Sequence, residues 1–390
     1  MGARLETPAN CRLVGIWRFG IIRFVRSLWC NGNCCLGGSF QADGLYSVYH
    51  ATECISGRYT GALFQHGGCL RYLESVANST KLSGVRILMN QVERVIATGT
   101  KVTMNGKELI FGETIFHLRD SNDIFDDSAA LQDRMAKDGY LLIRDFYDRR
   151  TVLETRREIL GFMDNESMLK LGTSIEDGVI GSDNRGISFP HEVVQQFPRF
   201  LSLVNSQQIM MLFERFLGGS ILSLDHKWLR ATPSGQNTSA HCDIVYMGAG
   251  TKNLYTVWTA LGDVSLDMGS LAVCLGSHKH QKLINTYGVS DAHQDLLEGW
   301  FSRDAYEVVE TLGIKWASTE FGAGDIIIFG MYLMHGSLDN NSEFYRVSSD
   351  NRYQLASEPV DWRHMGSTPD QIPKKENRIT MQEARIKWQI

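Results

Sequence analysis

Long uncharged apolar runs are missing from this chain. Its most apolar stretch, LVGIWRFGIIRFVRSLWC, is broken by Arg18, Arg23 and Arg26, which excludes a membrane-spanning helix of about 18 residues. Proline is scarce, 7 residues against 37 glycines in 390, a balance that suits tight turns between strands better than a long helical array. Neither sign of charge dominates: 39 Lys and Arg stand against 44 Asp and Glu, a formal net charge of −5, so no nucleic-acid partner is expected. The common nucleotide and hydrolase signatures are absent too. There is no GxxxxGK[ST] phosphate loop, no HExxH zinc helix and no GxSxG elbow. The nearest dinucleotide loop, GAGTKN, has Asn253 in place of its last glycine and no βαβ unit around it.

Cysteine is unevenly spread. Of 8 cysteines, Cys11, Cys30, Cys34, Cys35, Cys54 and Cys69 lie in the first 70 residues, leaving only Cys242 and Cys274 beyond. The larger part therefore reads as a reduced, cytosol-type protein. Cys30, Cys34 and Cys35 lack the second CxxC pair a zinc site requires, so unpaired thiols are expected, with zinc the alternative. The arginines and aromatics of the amino-terminal stretch fit an organelle transit peptide or a helix lying on a membrane surface. Residues 31 to 90 show no sustained periodicity, leaving a poorly ordered segment or a gene-model artefact as further readings. The expected organisation is an atypical extension over 1–90 and a globular domain over 91–390, with its core at about 115–365. A cytoplasmic location is expected, with mitochondrial or membrane-surface association as the alternative. The final tripeptide WQI is not a peroxisomal address.

Globular patterning starts with DDSAALQDRMAKDGYLLIRDF, which predicts a helix capped by Asp127 or Ser128, with Leu131 and Met135 on one face, stopped by Gly139 and followed by a strand. A second helix follows, with Val152, Ile159 and Leu160 inward. Beyond residue 220 short apolar runs alternate with turns: LYTVWTALGDV, GSLAVCLGSH, FGAGDIIIFGMYLMHGS and YRVSSDNRYQLA. This spacing predicts strands of an antiparallel sandwich or barrel.

Within that half, SAHCDIVYM spaces His241 and Asp243 at i, i+2 ahead of an apolar run, which in an extended segment puts both side chains on one face. Two histidines and one carboxylate on one side of an octahedron serve the iron(II) oxygenases. His335, ending a strand-like run before a Gly-Ser turn, supplies a candidate third ligand. Eleven residues on, Arg346 offers the bidentate cation that grips a carboxylate; its plainer reading is a surface salt bridge. His278 and His280, in the turn GSHKH, read as structural or exposed.

The blocks HCDIVYM, VWTALGDV, GSLAVCLGSHK, GAGDIIIFGMYLMHGS and RVSSDNRYQ, with DGYLLIRDF ahead of them, resemble in order the phytanoyl-CoA dioxygenase family of non-haem iron(II), 2-oxoglutarate-dependent oxygenases. The resemblance implies a mainly β fold with flanking helices, a double-stranded β-helix with the metal at one mouth. It implies His241, Asp243 and His335 as iron ligands and catalytic residues. It further implies Arg346 as the anchor of 2-oxoglutarate, with Trp258, Ser337 and Lys227 as further cosubstrate-pocket residues. Trp258 reads otherwise as a core aromatic and Lys227 as a solvated charge. The implied reaction consumes 2-oxoglutarate and O2, releases succinate and CO2, and oxidises a small organic molecule or acyl thioester. Halogenating relatives replace the carboxylate ligand with a small residue, so Asp243 favours hydroxylation or another oxidation over halogenation. Two alternatives stand beside it: a non-catalytic jelly-roll module for binding or sensing, and a zinc hydrolase on a cupin barrel. Oligomeric state is left open.

Overall fold

The computed structural model describes residues 13–18, 21–26, 96–366 and 379–390. Two compact units divide the chain at Val95 and Ile96. In the first, β1 (Leu13–Arg18) and β2 (Ile21–Arg26) form an antiparallel pair running from Leu13 opposite Arg26 to Arg18 opposite Ile21. A helix lying on a membrane is therefore not what these residues form. Val14, Ile16, Ile21, Ile22 and Val25 belong to the β-branched residue types, which favour strand over helix. The amino-terminal cysteines lie outside the described residues. Among the described residues no helix is long and apolar enough to cross a membrane.

The second unit starts earlier than residue 115. The hairpin of β3 (Lys101–Met104) and β4 (Lys107–Ile110) turns through Asn105 and Gly106, both at positive φ. It sends Met104, Leu109 and Phe111 into the core at 0% exposure. After β5 (Ile115–His117), helix α1 (Ser128–Asp138) is capped by the Asp127 carboxylate, which accepts the Ala130 N–H. It ends on Gly139 in the left-handed region, as its sequence predicts. Strand β6 (Tyr140–Ile143) and helix α2 (Arg149–Asn165) follow, with Val152, Ile159 and Leu160 fully buried.

Two sheets then face each other. The larger runs β6-β13-β10-β15-β9-β7, with β8 also paired to β15. Its members are β7 (Ile187–Ser188), β8 (Ile221–Ser223), β9 (Trp228–Thr232), β10 (Tyr255–Ala260), β13 (Ile326–Gly330) and the ten-residue β15 (Arg346–Leu355). Among the described residues its strand pairings are all antiparallel. The smaller sheet is β14-β11-β12-β5, where β11 is Leu271–Leu275, β12 Lys315–Ser318 and β14 His335–Ser337.

The pleat explains how one sequence serves three layers. On the larger sheet Leu229, Ala231, Val257, Ile326, Ile328, Val347 and Tyr353 pack outward against helical residues such as Ile159 and Phe213. Their alternate neighbours Trp258, Ile327 and Phe329 point the other way and meet Leu271 and Val273 of the smaller sheet. On the smaller sheet Ala272 and Cys274 turn outward onto Met104, Tyr287 and Trp316. Side chains alternate along each strand, so the mainly β, double-stranded β-helix is a helix layer, a sheet, an enclosed interior, a second sheet and an outer cover.

Two local readings are corrected. FGAGDIIIFGMYLMHGS is two strands, β13 and β14, in different sheets. The chain crosses after Gly330, where the Leu333 N–H returns to the Gly330 carbonyl at 3.1 Å. The apolar run after Asp243 is one helical turn, Ile244–Met247, closed by the Met247 N–H on the Asp243 carbonyl at 3.1 Å.

Asp325, 1% exposed in the GAGD turn, fixes β13 against β6. Its carboxylate accepts from Arg144 Nη1 at 2.7 Å, the Asp145 N–H at 2.9 Å and the Gly322 N–H at 2.7 Å. Asp325→Ala strands a guanidinium and two amides, and chemical denaturation should show a loss of about 3–5 kcal/mol; a loss under about 1 kcal/mol would contradict this role.

Candidate metal centre

The centre is built on a cross-strand pair. His241 and His335 face each other in antiparallel backbone and exchange both bonds, each N–H reaching the other's carbonyl at 2.9 Å. Directly opposed residues present their side chains on the same face, and the two imidazoles stand with centroids 4.2 Å apart. Asp243 follows where the chain turns from extended into αR backbone, φ −62° and ψ −26°. Its Oδ1 lies 3.8 Å from His241 Nε2 and 3.9 Å from His335 Nε2. One ligand atom from each residue lies within 4.8 Å of the other two.

The backbone also sets the tautomers. His241 Nδ1 is 2.9 Å from the Ser239 carbonyl, and His335 Nδ1 is 3.0 Å from the Leu333 carbonyl. A carbonyl only accepts, so each Nδ1 carries the proton and each Nε2 keeps its lone pair. Both lone pairs are thus on the nitrogens that approach Asp243. Burial, then the neighbouring His335, pushes the His241 imidazole down to about 3, so it is neutral at physiological pH.

Asp243 is 1% exposed. Burial raises its pKa, but the Arg352 guanidinium, the two imidazoles and the Thr256 hydroxyl outweigh that and hold the carboxyl well below the usual carboxylate range. Arg352 Nη2 is 3.2 Å from both Oδ1 and Oδ2, and Thr256 Oγ1 donates to Oδ2. Arg352 is itself 3% exposed, its guanidinium lying 4.1 Å over the Trp228 ring. Two imidazoles, each with Nδ1 on a backbone carbonyl, and one ionised carboxylate are a donor set suited to a divalent transition metal. For bond lengths of about 2.1 Å, adjacent ligand atoms sit roughly 3 Å apart, so the Asp243 oxygen and each imidazole nitrogen would close by less than about 1 Å on such an ion.

The other sequence-selected residues fall in different places. Arg346 opens β15 at 2% exposure. Nη1 donates to the Gly269 carbonyl and Nη2 to Thr232 Oγ1 at 3.0 Å, while Nε has no partner. Among the described residues no carboxylate lies within ion-pair distance of it, so it is not a surface salt bridge; burial lowers its pKa to about 10. Arg346, Ser348, Asp350 and Arg352 alternate with the outward Val347 and Tyr353 and so share the inward face. Trp258, 2% exposed, is also inward, its ring 4.7 Å from Phe321. Ser337 Oγ accepts the Thr238 N–H at 2.9 Å. Lys227 is buried rather than solvated and is not brought to the centre: its ammonium donates to Ser223 Oγ and the Leu224 carbonyl. Cys242 faces the outer layer, its thiol on the Tyr332 carbonyl at 3.4 Å. His280 caps a short helix through the Leu283 N–H, and His278 rests on the Ala136 carbonyl at 3.3 Å.

Sequence reading missed Arg352, Thr256 and Trp228, although the period-2 rule reaches the first two. Arg352 is six positions after Arg346 and Thr256 two before Trp258. Trp228 neighbours Lys227, where one step in register exchanges the faces.

A two-histidine, one-carboxylate face at the mouth of a jelly-roll barrel defines the class of non-haem iron(II) oxygenases. The phytanoyl-CoA dioxygenase (PhyH) family is matched over residues 135–348, more than half of the chain, and the protein belongs to that family. It is thus an enzyme, a 2-oxoglutarate-dependent dioxygenase of the oxidoreductases. Among its relatives, 1-deoxypentalenic acid 11-beta-hydroxylase of Streptomyces exfoliatus is 25% identical over 271 residues, 63% of this chain and 87% of that protein. The enzyme of the same name from Streptomyces arenae is 25% identical over 266 residues, with the same coverage. Among solved structures, EctD from S. alaskensis in its apoform aligns at TM-score 0.46 and 18% identity, over 73% of this chain and 95% of that one. The epimerase SnoN, in complex with Fe3+, alpha ketoglutarate and nogalamycin RO, aligns at TM-score 0.45 and 18% identity, over 65% and 95%.

The Thr256 hydroxyl orients the carboxylate from behind. Thr256→Val is expected to weaken Mn(II) or Co(II) binding by about 10- to 100-fold, read by metal titration, with the unfolding midpoint of the metal-free protein little changed. Unaltered affinity would show that Thr256 does not position Asp243.

Proposed function

We propose that this oxygenase holds iron(II) through His241, Asp243 and His335 and hydroxylates a small organic molecule or acyl thioester, consuming 2-oxoglutarate and O2 and releasing succinate and CO2. The observation that carries this is the pair of imidazoles, both protonated at Nδ1 by the demand of a backbone carbonyl, with both Nε2 lone pairs directed toward one buried, ionised carboxylate. The names of the 1-deoxypentalenic acid hydroxylases support a hydroxylation of this kind. Bound iron with its cosubstrate supplies a two-electron oxidation of the substrate coupled to loss of CO2 from 2-oxoglutarate.

The residues of this chain perform the remaining tasks. Arg352 and Thr256 keep Asp243 charged and oriented before any ion arrives. Arg346 is a buried guanidinium whose Nε and charge find no partner among the described residues, an arrangement that is costly unless an anion completes it. The far carboxylate of 2-oxoglutarate supplies that charge on this reading, and Ser348 Oγ, buried without a partner on the same face, offers a hydroxyl nearby along the strand. Trp258 and Phe329 wall the interior with apolar surface and exclude water. Ser337 braces the backbone at Thr238, and Lys227 braces the loop ahead of β9, so neither is assigned contact with cosubstrate.

Succinate formation from 2-oxoglutarate with added iron(II) tests the reading. Wild type should release succinate in a metal-dependent manner, and His241→Ala should abolish it together with metal binding. Arg346→Gln should retain metal binding and weaken 2-oxoglutarate binding by at least about thirtyfold, the loss expected when one partner of a buried charge pair is removed. Metal and 2-oxoglutarate binding with no succinate over a broad substrate panel would indicate a binding or sensing module. Turnover without oxygen or 2-oxoglutarate would indicate a zinc hydrolase.

A further inference from the structure

Beside the metal centre, on the β9 side of the barrel, lies a second cluster that shares only Arg352 with the support of Asp243. His226 stacks against His191 at 6.1 Å and contacts Trp228 at 4.3 Å, and His364 approaches the same Trp228 ring at 5.2 Å. Trp228 is also the ring on which the Arg352 guanidinium lies. Arg230 follows two residues later on the same face of β9. His191, His226, Trp228 and Arg230 are all partly exposed, so the cluster opens to solvent, whereas Arg352 and His364 form its buried floor.

This cluster is rich in donors and short of acceptors. The His226 ring makes no hydrogen bond among the described residues, and neither does the His191 ring, whose Nδ1 is buried. Arg352 uses its terminal nitrogens on Asp243 and the Asp350 carbonyl and leaves a buried Nε without a partner. Arg230 spends Nε on Asp350 at 3.0 Å and neither terminal nitrogen is bonded among the described residues. The buried and half-buried carboxylates around it are each committed to an arginine, Asp243 to Arg352, Asp350 to Arg230 and Asp361 beside His364 to Arg363, while the exposed Asp225 accepts the Gly366 N–H at 2.8 Å. The charged groups that bear most on His226 are basic: His364, His191, Arg352 and Arg230. With burial, the larger cause, they push its imidazole down to about 4. Convergent unpaired donors beside an aromatic ring, with no free acid among them, are the complement of an oxyanion attached to an organic body.

We propose that His191, His226, Arg230 and Arg352, around Trp228, form the subsite that receives an acidic group of the substrate, a carboxylate or a phosphate, and so orient an organic acid toward the metal face. This deepens the oxygenase reading and rests on it for the identity of the bound molecule as substrate. The subsite has its own physical signature: an anion there gives the imidazole of His226 the opposite charge it lacks and draws a proton onto it.

The test uses the full, metal-free chain and three probes of equal chain length: hexanoate, hexyl phosphate and hexan-1-ol, with binding read by calorimetry and His226 followed by imidazole NMR. At least one anion should bind saturably and at least tenfold more tightly than the alcohol, and it should raise the pKa of His226. Preference between the anions tells a carboxylate substrate from a phosphate one. The double variant His191→Asn, His226→Asn should lose at least tenfold in anion affinity, while His241→Ala and Arg346→Gln should keep it. Anions that bind no better than hexan-1-ol, or binding that the double variant leaves unchanged, would overturn the subsite. So would binding that disappears instead with Arg346→Gln, which would put the anion at the cosubstrate arginine. Because the probes are read without metal, failure of iron binding or succinate release alongside intact anion binding would count against the oxygenase reading alone.

Discussion

The reciprocal backbone hydrogen bonds between His241 and His335 are the constraint on which the rest depends. Two residues far apart in sequence become a directly opposed pair, and the pleat then leaves their side chains no choice but the same face. Each ring is further locked by a carbonyl two residues earlier in its own segment, so the geometry that joins the strands also chooses which nitrogens face Asp243. A slip of one residue in this pairing would turn one imidazole into the outer layer, where Cys242 lies. Barrel closure and centre assembly are therefore the same event.

Charge inside the barrel is arranged around that pair with few free groups. Along β15 the inward positions carry Arg346, Ser348, Asp350 and Arg352. The two later charges each have an opposite partner, Arg352 with Asp243 and Asp350 with Arg230. Arg346 does not. A buried guanidinium without a counter-ion is a debt of several kcal/mol in an interior of low dielectric, and such a debt is consistent with a site whose anion arrives from solution. The contrast between arginines on one strand face separates a structural counter-ion from a group available to a ligand, without reference to any relative.

Much of this was readable from residue order. The helix stops, the inward positions of the second helix and the short strands beyond residue 220 follow from caps and period-2 alternation. His241 and Asp243 stand at the i, i+2 spacing that places two side chains on one face, whereas His335 and Arg346 were picked out by residue type and by the resemblance to the family. What escaped notice was decided by tertiary pairing. FGAGDIIIFGMYLMHGS reads as one continuous apolar run because both of its strands are buried, and nothing local marks the crossing between sheets. The hairpin at 101–110 carries only short alternating segments, and its burial against Ala272 and Cys274 comes from a strand far along the chain. Lys227 and Trp228 show the same limit at the scale of one residue, since the face of the sheet depends on a register that only the paired strand fixes.

The central claim is that this pair and Asp243 form one metal-binding face. Anomalous scattering from crystals of the protein loaded with iron, collected on both sides of the iron absorption edge, tests it most directly. The account predicts a single strong iron peak within bonding distance of His241 Nε2, His335 Nε2 and one Asp243 oxygen. A peak held by other residues, or none at this face in protein that has taken up iron, would contradict it.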